Sequence, residues 1–520
     1  MKKYLSAFLL SFCSIVYLNA QEGSASLVGE INSDFYIWES RPHKSSKINT
    51  SYDHFLLRFD PSMKLIIKAK LGISKLGVLY FDEQVEQVIL IGNKIVLITL
   101  TNEKNEENQV LYYQFIDPVT LAKQGEKSVL IKYPATSKVL RSLAIFTYDF
   151  SKDGSRFMIT REFSRNIFKT RPKIFDINVF DQNLSLQWSK SETLSLNDKE
   201  FKTKSYQVNS DGDVEIMGEA KFDKDTVETK LLKNYSILDF TEKGEKSSVR
   251  NLGLEIADVK IIGEDFLHTS DKMIAAGFYK MPNVRRQYGY FLQEYSLDKL
   301  EREKNYYKTL AQETYTSDET ETDPELKKLD TKSADDRFAF EVKNLRLDKS
   351  GNIFLIGEQH NYVMYTNRYG TTITDYYLDI YVLKLDPNGK LIWEIRIPKR
   401  QVYSSTWSRK SYLLKDFVSY ASCLKDDNLL FFINDNPKNL NIVNSRPKSV
   451  RWKESQGQVV IVNKDGKMQR KLISDIPGNM FYTDFMYSLS NNRILIRYAP
   501  YKKYNESIYK IIPLDQILSQ

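Results

Sequence analysis

Cysteine is nearly absent: 520 residues hold two, Cys13 and Cys423. Cys13 lies in an apolar leader, so the mature chain can form no intramolecular disulfide and no Cys-based metal site. Cys423, in Tyr420-Ala-Ser-Cys423-Leu, reads as a small buried apolar residue of a strand rather than a nucleophile. Histidine is almost as scarce. His43, His54, His268 and His360 are the whole set, and none pairs at metal-ligand spacing. HExxH, a GxSxG elbow, a P-loop and GxGxxG are all missing. The sequence therefore names no catalytic residue, no metal and no cofactor. Beyond the N-terminus no apolar run approaches 18 residues, which leaves no candidate membrane helix.

At the N-terminus, Lys2 and Lys3 precede an apolar run from Leu5 to Leu18 and then Asn19-Ala20. This is the pattern of a secretory signal peptide, residues 1–20, with the mature chain at 21–520. Phe12 before Cys13 lacks the small residue of a lipidation site, so the expected product is an exported protein, periplasmic or extracellular. Without disulfides such a chain must rest on a large core, and 28 Phe with 33 Tyr supply the bulk.

The stretch from Asn344 to Pro398 shows the unit that the chain repeats. Leu345 to Leu347 and Asn352 to Gly357 flank Asp348-Lys-Ser-Gly351, and Ile380 to Leu385 and Lys390 to Ile397 flank Asp386-Pro-Asn-Gly389. Asp and Asn bond their own backbone in tight turns, and Gly supplies positive φ, so this reads as a four-stranded antiparallel sheet. The inner turn recurs near Asn93, Asp153, Asp211, Asp271, Ser350, Asp426 and Asn491, at intervals of 58 to 79 residues. Copies of a sheet that cannot cover its own faces stack radially. The expectation is an all-β propeller of seven four-stranded antiparallel blades, a single domain over 21–520. The half unit at Phe35 to Ala69 would complete one blade with the C-terminal strands and close the ring.

These units resemble secreted bacterial β-propeller repeats. The shared pattern is Gly-Asn-Ile with an aromatic and a Gly, then Asp, aromatic, Val, Lys, Leu, Asp and Asn-Gly, with a Trp on the outer strand. Asn344 to Pro398 carries it through Trp393, and Asp176 to Trp188 carries part of it. The resemblance implies the fold and transfers no catalytic residue.

Two segments break the rhythm. Residues 312–337 hold nine acids against four bases and read as an acidic insertion. Lys399 to Leu413 is basic and aromatic. In a meander the loops between second and third strands leave by one face, and these carry Arg165, Lys169, Arg171 and Lys173; Lys280, Arg285 and Arg286; Tyr362, Tyr365, Arg368, Tyr376 and Tyr377; and Lys438, Arg446, Lys448, Arg451, Trp452 and Lys453, with Tyr501 to Tyr504 in the last unit. Together with Arg400, Trp407 and Arg409 they predict a basic, aromatic face.

Arg forks onto carboxylate or sulfate and flat rings cover sugar faces or protein anchors, so the expected partner is an anionic glycan or an envelope or extracellular protein. Nucleic acid is excluded as a partner by export and by the lack of any nucleic-acid motif. The expected role is non-enzymatic binding. The alternative is a propeller polysaccharide hydrolase or lyase at the central channel, to which His360 at a strand end would belong. Asn209-Ser-Asp-Gly-Asp213 offers too few oxygen ligands for calcium and reads as an Asp-Gly turn.

Overall fold

The structure is a computed structural model and describes residues 24–42, 50–76, 83–102, 108–134, 144–163, 172–197, 200–220, 233–254, 256, 259–269, 272–281, 288–297, 299–310, 339–367, 370–405, 414–442, 447–473, 476–501 and 507–519. Residues 1–20, the expected leader, and residues 312–337, the expected acidic insertion, lie outside them. The chain divides into two compact units, Met1–Lys224 with Asn234–Leu252 and Asp225–Lys233 with Gly253–Gln520.

The first unit carries four sheets, each a meander of consecutive strands: β1 (Ala25–Ile31), β2 (Asp34–Pro42), β3 (Thr50–Phe59), β4 (Leu65–Leu76); β5 (Gln84–Ile91), β6 (Lys94–Asn102), β7 (Asn108–Ile116), β8 (Lys123–Pro134); β9 (Ala144–Phe150), β10 (Arg156–Phe163), β11 (Pro172–Asp181), β12 (Leu186–Asn197); and β13 (Phe201–Val208), β14 (Val214–Ala220), β15 (Lys233–Thr241), β16 (Lys246–Leu254). The second unit carries four more: β17 (Lys260–His268), β18 (Lys272–Lys280), β19 (Tyr288–Ser296), β20 (Arg302–Thr309); β21 (Ala339–Leu347), β22 (Ile353–Asn367), β23 (Gly370–Leu385), β24 (Leu391–Ile397) with β25 (Gln401–Ser405) added to β23; β26 (Tyr420–Lys425), β27 (Asn428–Asp435), β28 (Gln456–Val462), β29 (Met468–Leu472); and β30 (Asn479–Leu489), β31 (Arg493–Pro500), β32 (Ile508–Pro513), followed by α1 (Leu514–Ser519). Neighbouring strands run antiparallel, and among the described residues the sheets make a β-propeller of eight blades rather than the expected seven.

The additional blade has a local cause. β1 pairs with β2 through a turn at Asn32 and Ser33, both left-handed at φ 50° and 71°, with no glycine to announce it. The N-terminal segment is thus a whole blade. The expected blade shared between the chain ends is overturned, because among the described residues β1 pairs with β2 and β32 with β31.

The outer turns form as their residues dictate. The Oδ1 atoms of Asp60, Asp181, Asp386 and Asn463 each accept two backbone N–H groups of the following turn, at 2.8 to 3.0 Å. The outer-strand tryptophans lock one blade to the next. Trp188 Nε1 donates to Gly212 O at 2.9 Å, and Trp393 Nε1 to Lys464 O at 2.8 Å. Gly244 and Gly466, both left-handed, lie under these indoles, where a Cβ would come within 2.7 Å and 3.0 Å of the rings.

Cores form between neighbouring sheets. Tyr36, Leu56, Ile95 and Leu97 fill one in the first unit, and Phe278, Tyr290, Phe340 and Tyr381 fill one in the second. Each fully buried large side chain of this kind stabilises by about 1.5–3 kcal/mol. First strands approach first strands, as β1 meets β5 and β17 meets β21. At Gly263 on β17 an added Cβ would fall 1.9 Å from Phe340 O on β21, so only glycine permits that approach.

Several first strands also share a β-bulge. The extra residues are Val28, Glu86, Lys204, Ile262 and Lys343. Each sharpens the local twist of the strand nearest its neighbour.

Candidate functional site: a basic turn mounted on a buried polar lattice

The predicted binding residues separate into three groups. Arg285, Arg286, Arg368, Trp407 and Arg409 lie outside the described residues, as does the side chain of Tyr365 on β22. Arg400 is buried, which corrects its expected place on a solvent face: Nε donates to Ser449 Oγ at 2.7 Å, and its carbonyl accepts from Val450 N at 3.0 Å. Arg451, exposed, and Trp452, half-buried, are on the surface as expected.

Arg400 is one of several cations that find partners within the fold, and others pair with a carboxylate carried by a second strand. On β2, Glu39 faces Arg41 at 2.6 Å. On β10, Glu162 accepts from Lys173 at 3.2 Å, Thr203 at 3.0 Å and Tyr206 at 2.8 Å. On β22, Glu358 pairs with Lys399, and both are fully buried. At the end of β27, Asp435 takes Arg470 Nη1 at 2.9 Å. A buried carboxylate demands a counterion, and the nearest cation supplies it. The basic excess of these loops is therefore partly internal. Glu358 after the apolar run Ile353 to Gly357, and Asp435 after Leu429 to Ile433, were the available signal.

In the second unit these pairs join into a lattice. Lys399 Nζ also donates to Gln401 Oε1 at 2.9 Å, and Gln401 accepts Ser419 N at 2.7 Å while donating to Asn434 O at 2.9 Å. Asn434 Nδ2 reaches Phe417 O at 2.9 Å and Phe481 O at 2.7 Å. Asp379, buried, accepts from Arg396 Nε at 2.5 Å and from Lys399 N at 3.0 Å. Burial pushes the Asp435 carboxyl up to about 6 against the pull of Arg470, and lowers the Lys399 ammonium against the pull of Glu358. Such pairs set geometry more than they add net stability.

What the lattice positions is the described part of the connection between β27 and β28, residues 437–442 and 447–454. Asn439 donates to Lys448 O at 2.8 Å and accepts Lys448 N at 2.8 Å, while Asn436 Nδ2 donates to Ser449 O at 3.1 Å. Asp435 in turn takes Asn439 Nδ2 at 2.9 Å and Asn436 N at 2.8 Å. Beyond Val450 the chain turns tightly, Glu454 N donating to Arg451 O at 2.7 Å. Gly478 N donates to Ser455 O at 2.8 Å, and Tyr501 N to Gly478 O at 2.7 Å, so this turn has backing. Residues 437–454 hold five bases and one acid. Lys438, Lys448, Arg451 and Lys453 are exposed. Arg451 sits 3.8 Å from Glu454, both in solvent, a pair of little energetic weight. An anchored backbone thus presents cations to water beside a half-buried indole.

The other position that the sequence singled out, His360, lies near the root of the long β22–β23 hairpin. Its Nδ1 faces Glu341 Oε1 at 2.9 Å, its Nε2 faces Asp375 Oδ1 at 3.2 Å, and its ring stacks on Tyr377 at 4.4 Å. Against the opposing effect of burial, those two carboxylates hold the imidazolium up to about 9. Both ring nitrogens are occupied. Beside them Lys343 bridges Glu341 and Glu358, which face each other across β21 and β22.

No protein-family model matches the chain, and no curated protein matches it in sequence. Among solved structures it is similar to the GH93 α-L-arabinofuranosidase of Fusarium graminearum in complex with arabinobiose, at 10% identity and TM-score 0.33 over 72% of this chain and 94% of that one. It is similar to the α-L-arabinanase of Penicillium chrysogenum, at 13% identity and TM-score 0.33 over the same shares of 72% and 94%. An oligogalacturonate lyase in complex with manganese aligns at 10% identity and TM-score 0.33, over 79% of this chain and 95% of that one. Likeness at this level carries no conclusion about this chain, and the eight meander sheets described above are what make it a β-propeller.

Proposed function

We propose that this chain is a non-enzymatic binding propeller that engages an anionic partner, a glycan or an acidic envelope protein, through the exposed cations of residues 437–442 and 447–454. One observation carries the reading. The side chains of Asn436 and Asn439, the latter held by Asp435, fix the backbone at Lys448 and Ser449, so the backbone that carries these cations has little order left to lose on binding. The leader at 1–20 favours an exported protein, which would meet such partners in the periplasm or outside the cell.

The test is retention of the purified chain on immobilised acidic polymers at low and high salt. Binding that weakens with salt is expected, and the K438Q/K448Q/R451Q/K453Q variant should lose roughly tenfold or more in affinity. Equal binding by the variant would refute the assignment to this turn.

A second reading, a polysaccharide hydrolase or lyase, draws on Asp416. Burial and the neighbouring Asp484 carboxylate push its pKa up to about 7, a value suited to a general acid. Turnover of any bound glycan, abolished by D416N, would favour it.

A further inference from the structure

We infer that the ligand of the basic turn is an acidic polysaccharide, a chain of sugar rings bearing carboxylate or sulfate, with Trp452 as the stacking platform and Arg451 as the anion fork; this rests on the binding reading above. The indole of Trp452 differs from the other described tryptophans. Trp188 and Trp393 donate Nε1 to backbone carbonyls of the neighbouring blade, and Trp38 stacks on His54 at 5.6 Å. Those three are structural. Trp452 is half-buried, and among the described residues its Nε1 makes no hydrogen bond and its ring no stack.

It occupies the second position of the turn 451–454, with an exposed Arg on one side and an exposed Lys on the other. The turn cannot swing away. Lys453 O lies against Gly478, where even a Cβ would approach to 3.1 Å, and Gly478 is held by Ser455 O and by Tyr501 N.

A flat ring with a polar N–H edge suits a pyranose, which offers a C–H face to the indole and hydroxyls at its rim. An anionic group on the same sugar lies within the compass of a guanidinium, which binds carboxylate or sulfate in a two-point fork. An acidic peptide would satisfy the cations but gives the indole no flat apolar face. Charge alone would not need a tryptophan at the tip of the turn.

The experiment compares affinities of the full mature chain for polygalacturonate, a sulfated glycan, polyglutamate and neutral dextran. The variants are W452A, W452F and R451Q, each checked for an unchanged melting temperature. The expected result is that W452A weakens binding to one or both acidic glycans by about tenfold, the scale of a lost ring stack, while W452F retains most of it and polyglutamate binding changes by less than about twofold. Preference between polygalacturonate and the sulfated polymer identifies the anionic group.

W452A that leaves glycan binding intact, or that weakens polyglutamate equally, overturns the glycan assignment and leaves an acidic protein as partner of the same turn. Failure of every anionic polymer to bind, or binding indifferent to the four-cation variant, overturns the binding reading itself. A W452A protein with a lowered melting temperature and W452F binding as poorly as W452A would show a packing role and also overturn the inference.

Discussion

His360 offers a sharp physical test. Its imidazolium lies between Glu341 at 2.9 Å and Asp375 at 3.2 Å, with Tyr377 stacked on one face and Lys343 and Glu358 nearby. A free histidine titrates near 6.5, and here the midpoint is raised to about 9. That difference corresponds to roughly 3 kcal/mol favouring the charged ring. Because Glu341 is 40% exposed, solvent screens part of the attraction, and a realistic contribution is about 1–3 kcal/mol.

The sign follows from linkage. The folded state binds the proton more tightly than the unfolded chain, so the stabilisation is complete below pH 6.5 and is lost as pH rises through about 9. In urea unfolding, the stability gap between the native sequence and H360Q should shrink by about that amount between roughly pH 6 and pH 10. Proton NMR of the imidazole C–H should place His360 near 9. His54 supplies an internal contrast, since burial pushes it down to about 4 while its Nε2 bonds Ser74 Oγ at 2.7 Å. A His360 midpoint below about 7, or parallel pH curves for the two proteins, would refute the clamp.

Two further outcomes concern the architecture. R470M should cost about 3–5 kcal/mol, because it strands the buried Asp435 carboxylate, and R470M/D435N should recover much of that loss in chemical denaturation. G263A should destabilise by more than about 3 kcal/mol, since its Cβ would strike Phe340 O at 1.9 Å and force β17 away from β21; a melting temperature within about 1 °C of native, on the order of 1 kcal/mol for a chain of this length, would contradict the close approach.

Much of the blade was legible in the residues. The Asp and Asn that open the outer turns accept their own downstream N–H groups whatever surrounds them, and so Asp181, Asp386 and Asn463 announced turns correctly. Trp188 and Trp393 stood on outer strands for the same local reason. The first blade was hidden, because β1 is mostly half-buried with no continuous apolar run, and Asn32-Ser33 reaches a left-handed turn without glycine.

The direction of the loop cations was legible only in part. Arg400 and Arg451 look alike in sequence, yet one is buried against Ser449 and the other stands in water. The difference is made by groups far away in the chain: Arg400 meets Ser449 Oγ and Val450 N, just as Lys399 and Arg470 turn to the buried carboxylates Glu358 and Asp435. By itself, then, the sequence determined the meander and its turns, which depend on contacts within a few residues. Tertiary structure alone decided which cations became counterions and which remained in solvent, because that choice depends on where other strands bring their buried charges.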